Sequence, residues 1–133
     1  MKQIDHIGIA VKSLDISIPL FTSLLNSPCY KIEEVASEKV RTAFFKTGES
    51  KIELLEAMEA GTVIDKFIEK KGEGMHHIAF EVADIRSEMK RLSEEGFELL
   101  NQEPKRGADN KWVCFLHPKT TQGVLIELCQ TEL

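Results

Sequence analysis

The chain has 133 residues, of which 42% are hydrophobic and 29% charged, with a formal net charge of −5. That length suits one domain, and the hydrophobic share is enough to build a core in a soluble protein. The acidic balance excludes a general nucleic-acid binder, and no apolar run approaches membrane-spanning length.

Taken in chain order, QIDHIGIAV at 3–11 shows the β-branched alternation of a strand. An amphipathic helix over about 15–26 follows, with Ser13 or Asp15 as its cap and Pro19 in or near its first turn, where a missing N–H is tolerated. Strands are predicted near 29–36, 40–47 and 50–56. TVIDKFIEKKGEG at 62–74 places Val63, Ile64, Phe67 and Ile68 at helical spacing and ends in a glycine-flanked turn. A strand at 76–82 comes next, then a helix capped by Asp84 and closed by Gly96. Strands near 97–101, 111–117 and 124–130 complete the pattern. The first residues show no signal-peptide pattern. Cys29, Cys114 and Cys129 form no C-x-x-C pair, which predicts reduced thiols, used as small buried hydrophobes, in a cytoplasmic protein.

The chain repeats itself. DHIGIAVKSLD at 5–15 matches HHIAFEVADIR at 76–86, and KIELLE at 51–56 matches LIELCQ at 125–130. His6 thus falls on His77 and Glu53 on Glu127, with shifts that differ by three residues. The loop LHPKTTQG at 116–123 absorbs that difference. The reading is an α+β fold of two tandem βαβββ modules in a single domain over 1–133. Module 1 covers about 1–60, a bridging helix about 61–74, and module 2 about 75–133.

Strand phase separates two faces. Ile7, Ile9 and Val11, and likewise Ile78, Phe80 and Val82, belong under the helices. The opposite faces carry His6, Gly8 and Ala10, and His77, Ala79 and Glu81. Glu53 and Glu127 each lie between Ile and Leu, where a carboxylate is costly unless it is paired or metal-bound. A single strand histidine or glutamate is ordinarily a surface or hydrogen-bonded residue. Two of each, at matched places in both copies, are a different case: their ligand chemistry suits one shared metal, a reading that leans on the resemblance given next. His76 lies on the opposite phase to His77 and reads as structural or as a support behind a ligand.

DHIGIAV, KIELLE, KKGEGMHHIAFEV and FLHPKTTQGVLIEL resemble the methylmalonyl-CoA epimerases of the vicinal oxygen chelate (glyoxalase/bleomycin resistance/dioxygenase) superfamily, over essentially the whole chain. The resemblance implies a partly open, eight-stranded, barrel-like cleft around one divalent metal held by His6, Glu53, His77 and Glu127. It also implies a homodimer acting on a small acyl-CoA substrate, in propionate metabolism. The implied reaction inverts C2 of methylmalonyl-CoA by proton abstraction and return through a metal-stabilised enolate. The near-symmetry of the two copies, with threonine at position 42 where some epimerases carry a base, makes Glu53 and Glu127 the expected acid–base pair. Mixed nitrogen and oxygen ligands suit Co, Mn, Ni, Fe or Zn.

Two positions depart from the family. Thr42 stands where some epimerases carry a glutamate base, and Ala108-Asp109-Asn110 replaces a common Ala-His-Gly run. From 105 to 119, Lys105, Arg106, Lys111 and Lys119 oppose only Asp109, a basic patch suited either to CoA phosphates or to plain solvation. Lys119 and Thr121, in the HPKTTQG loop, and Lys111 are the expected substrate contacts; His117 either orients that loop or is purely structural, and Trp112 reads as packing rather than a recognition platform. A glyoxalase I-like lactoylglutathione lyase would use the same four ligands. A non-enzymatic binder of the bleomycin-resistance type would lack them.

Overall fold

A computed structural model of the protein describes residues 1–131. Its eight strands and three helices are β1 (Gln3–Ala10), α1 (Leu14–Leu25), β2 (Lys31–Val35), β3 (Val40–Thr47), β4 (Ser50–Ala57), α2 (Val63–Lys71), β5 (Gly74–Glu81), α3 (Ile85–Glu94), β6 (Lys105–Arg106), β7 (Lys111–Leu116) and β8 (Ile126–Thr131). The fold class is α+β, and each half runs βαβββ as the repeat predicted. No helix among the described residues is long and apolar enough to cross a membrane. The described residues form two compact units: His6–His76, and Met1–Asp5 together with the described residues from His77 on.

In the unit His6–His76, β3 runs antiparallel to β2 and β4, and β4 runs parallel to β1 from His6 to Ala10. Alternation sends Ala43, Phe45 and Leu54 to one side of this ladder. There they pack with Val11 and Leu14, against Ile9, Ile18, Phe21, Leu25 and Ile52. The helix begins at Ser13, yet no side-chain cap bond comes from Ser13. Glu56 on β4 does that work, its Oε2 accepting from the Leu14 N–H at 2.9 Å. Pro19 is deeper than expected, inside α1 rather than in its first turn. Its missing N–H leaves the Asp15 carbonyl without its partner one turn on. In α2 the buried residue is Ile64, while the Phe67 ring meets His76 edge-on at 4.9 Å.

In the second unit, β5 is parallel to β8, β7 antiparallel to β8, and β6 antiparallel to β7. Val82, Ile85, Met89, Leu92, Cys114, Leu116 and Leu128 form the core beneath α3, with Trp112 packed against it. Asp84 caps α3 as predicted, accepting from the Ser87 N–H at 3.1 Å. That bond holds the Asp84 carboxyl below its ordinary range.

The strand expected over 97–101 is absent. Leu99 makes one isolated bridge to Leu116, and the paired strand is the two-residue β6. Asn101 explains the interruption, because its side chain takes the place of main chain. Its Oδ1 accepts from the Phe115 N–H at 3.1 Å, and its Nδ2 donates to the Glu103 carbonyl at 2.6 Å.

Candidate functional site

Each unit builds the same buried pair from the same register. In the first, Gly8 on β1 lies beside Glu53 on β4, and Phe44 on β3 lies across from Glu53. In the second, Ala79 on β5 lies beside Glu127 on β8, and Phe115 on β7 lies across from Glu127. Glycine and alanine leave room above the sheet, while each phenylalanine walls one side. His6 Nδ1 is 3.1 Å from Glu53 Oε2, and His77 Nε2 is 3.1 Å from Glu127 Oε1. All four side chains are nearly shut off from solvent, with relative exposures of 5% and 3% for His6 and Glu53 and 6% for both His77 and Glu127. The Phe115 ring stands edge-on to His77 with centroids 5.9 Å apart.

Such carboxylates persist at this depth only with a donor or a cation beside them. The pairs fit either partner. A distance of 3.1 Å is an ordinary N–H···O hydrogen bond. It is also the spacing of two neighbouring donors, each about 2.1 Å from a common ion and roughly at right angles, which is about 3 Å. Imidazole nitrogen with carboxylate oxygen is the donor chemistry of a borderline divalent metal. The two halves are not perfect copies, because His6 presents Nδ1 and His77 presents Nε2. Asp5 is a further buried side chain of ligating type, which the repeat did not single out.

Thr42 shares the face of Glu53, since it lies across from Leu55 while Phe44 lies across from Glu53. It is fully buried, and its hydroxyl has no hydrogen-bond partner among the described residues. The corresponding place in the second unit, across from Cys129, is Val113.

The basic patch read from the sequence separates into individual fates. Lys111 leaves it: the side chain is buried, with Nζ 3.3 Å from Asp5 Oδ1 and 3.0 Å from Thr131 Oγ1. A lysine expected to face solvent and substrate is therefore an interior counter-ion. Alternation on β7 explains this, because Lys111 shares its face with the buried Val113. Lys119 Nζ pairs with Glu98 Oε1 at 2.8 Å and holds that carboxyl below its ordinary range. The Thr121 hydroxyl bonds the carbonyls of Pro118 and Val124 and so ties its own loop closed. His117 Nδ1 accepts from the Lys119 N–H at 3.0 Å within the same loop. Arg106 lies over the Trp112 ring at 4.4 Å and reaches Asn110 Oδ1 at 3.0 Å.

Comparison with known proteins decides the lineage. Residues 5–115 match the family described as the Glyoxalase/Bleomycin resistance protein/Dioxygenase superfamily. The chain belongs to this superfamily. Within it, the chain is 37% identical to an ethylmalonyl-CoA/methylmalonyl-CoA epimerase of Cereibacter sphaeroides, covering 96% of this chain and 97% of that protein. It is 38% identical to the uncharacterized protein YqjC of Bacillus subtilis, over 99% of this chain and 94% of that one. Among solved structures it matches a variant of Streptomyces coelicolor methylmalonyl-CoA epimerase in complex with 2-nitronate-propionyl-CoA. The TM-score is 0.94 at 33% identity, covering 100% of this chain and 99% of that chain.

Proposed function

We propose that this chain epimerises methylmalonyl-CoA at C2, with a single divalent ion held by His6, Glu53, His77 and Glu127. The observation that carries the reading is the buried His–Glu pair at 3.1 Å, present once in each half. Near full-length similarity to epimerases, one of them in complex with an acyl-CoA analogue, supports the substrate class.

The substrate's C2 lies between a thioester and a carboxylate, which makes its proton removable but leaves developing charge to be stabilised. When bound, a divalent ion supplies that stabilisation at the thioester oxygen. The protein's own groups move the proton. One glutamate takes it from C2 on one side, and the other returns a proton on the opposite side, which inverts the centre. Glu53 and Glu127 suit these roles because duplication places them equivalently in the two halves. Burial also keeps bulk water from competing for the proton. Phe44 and Phe115, across from the two glutamates, limit where each carboxylate can swing. Lys119 and Thr121, on the loop that leads into β8, are the proposed contacts to the remainder of the acyl-CoA.

Proton exchange at C2 of methylmalonyl-CoA, followed by NMR in D₂O with and without a chelator, tests the reading. Exchange that stops on chelation and returns with added metal is the expected result. Absence of exchange, with turnover of methylglyoxal plus glutathione instead, would replace the epimerase by a lyase.

A further inference from the structure

The patch residues Lys111, Lys119 and Arg106 are engaged with Asp5, Glu98, and Trp112 with Asn110, respectively. Lys105 sits on β6. It lies across from Val113 on β7, and Val113 lies across from Cys129 on β8, so Lys105 extends the row of side chains on the face that carries Glu127. Its residue is exposed. Its Nζ lies 5.8 Å from the centre of the Phe115 ring, and that ring stands against His77. A cation over an aromatic face at this distance is attracted to it, which limits the wandering of a long side chain. The result is a positive charge at the rim of the His77–Glu127 pair, one ring away from the chemistry.

We infer that Lys105 is a specificity-determining residue that binds an anionic group of the acyl-CoA, either the acyl carboxylate or a CoA phosphate. The inference rests on the epimerase reading for its ligand, and on the Phe115–His77 geometry for its place. Lys105 does not touch the reacting carbon; it holds the ligand by charge. A charge-assisted contact of this kind is worth roughly 10- to 100-fold in affinity.

The test is calorimetric binding of an equilibrated mixture of the two methylmalonyl-CoA epimers to metal-loaded protein. No net epimerisation contributes heat in such a mixture. Lys105→Met keeps the stem over Phe115 and removes the charge. It should raise Kd roughly 10- to 100-fold and flatten the salt dependence, and Lys105→Arg should restore both. Repeating the titration with methylmalonyl-pantetheine separates the sources. A penalty that persists assigns the carboxylate, and one that disappears assigns the nucleotide phosphates. An unchanged Kd and salt dependence in Lys105→Met overturns the inference, as does the lack of any binding by the unsubstituted protein. Binding without C2 exchange would sink the epimerase reading while leaving the Lys105 result standing.

Discussion

Replacing Thr42 by valine should make the protein more stable. The Thr42 side chain is completely buried and its hydroxyl finds no partner among the described residues. An unsatisfied hydroxyl in such a place costs about 1–3 kcal/mol. Valine has nearly the same shape, so the substitution removes that cost without opening a cavity. The second half of the chain already carries this solution, with Val113 at the equivalent position. The converse change, Val113→Thr, should therefore destabilise by a similar amount. Urea unfolding of metal-free protein reads both effects. With a slope of about 1.5 kcal/mol per molar urea, a gain of about 1 kcal/mol raises the midpoint by about 0.7 M. A midpoint that falls by that much in Thr42→Val would show that the hydroxyl is satisfied, by ordered water for example, and would refute the reasoning.

Glu127→Gln keeps size and polarity but cannot accept the C2 proton, so exchange in D₂O should drop roughly 10²-fold or more; a variant exchanging at the full rate would remove Glu127 from the proton transfer. Asp84→Ala should lower the melting temperature at neutral pH. The Asp84 carboxyl is held below its ordinary 3.8, so its contribution is complete above that value and fades as pH falls through the folded pKa. The difference between Asp84→Ala and the parent should therefore vanish in acid, and a pH-independent difference would assign the effect to something other than the charged cap. Burial pushes the Cys114 thiol up to about 11, so at pH 8 thiol reagents should modify the half-buried Cys29 well before Cys114. The unfolded thiol ionises first, near 9.0, so between that value and about 11 Cys114 should lower stability by at most about 1.4 kcal/mol per pH unit. Cys114→Ala should abolish this slope in alkaline unfolding curves.

Much of the fold could be read from periodicity, because strand and helix patterns encode which face is buried. Ile9, Ile52 and Leu54 lie in the core beneath α1, and Leu116, Leu128 and Val82 beneath α3, as alternation required. The repeat made His6, Glu53, His77 and Glu127 stand out, since chance seldom places two such pairs at matched positions. What escaped the sequence were interactions between residues distant along the chain. Glu56 supplies the α1 cap in place of Ser13, and Asn101 replaces main-chain pairing where a strand was expected. Charge clusters were the least legible feature. Lys105, Arg106, Lys111 and Lys119 look alike in sequence, yet Lys111 is buried against Asp5, Lys119 pairs with Glu98, Arg106 lies over Trp112 and Lys105 over Phe115. Strand phase on β7 could have signalled the burial of Lys111, but nothing local could name Asp5 as its partner.

The account depends most on two His–Glu pairs serving one ion. Titration of metal-free protein with Co²⁺ or Mn²⁺, with the bound metal counted by elemental analysis, tests it most directly. One ion per chain is predicted, lost alike from His6→Ala and from His77→Ala, because each substitution breaks the same site. Two ions per chain, or an ion retained when either histidine is removed, would contradict it.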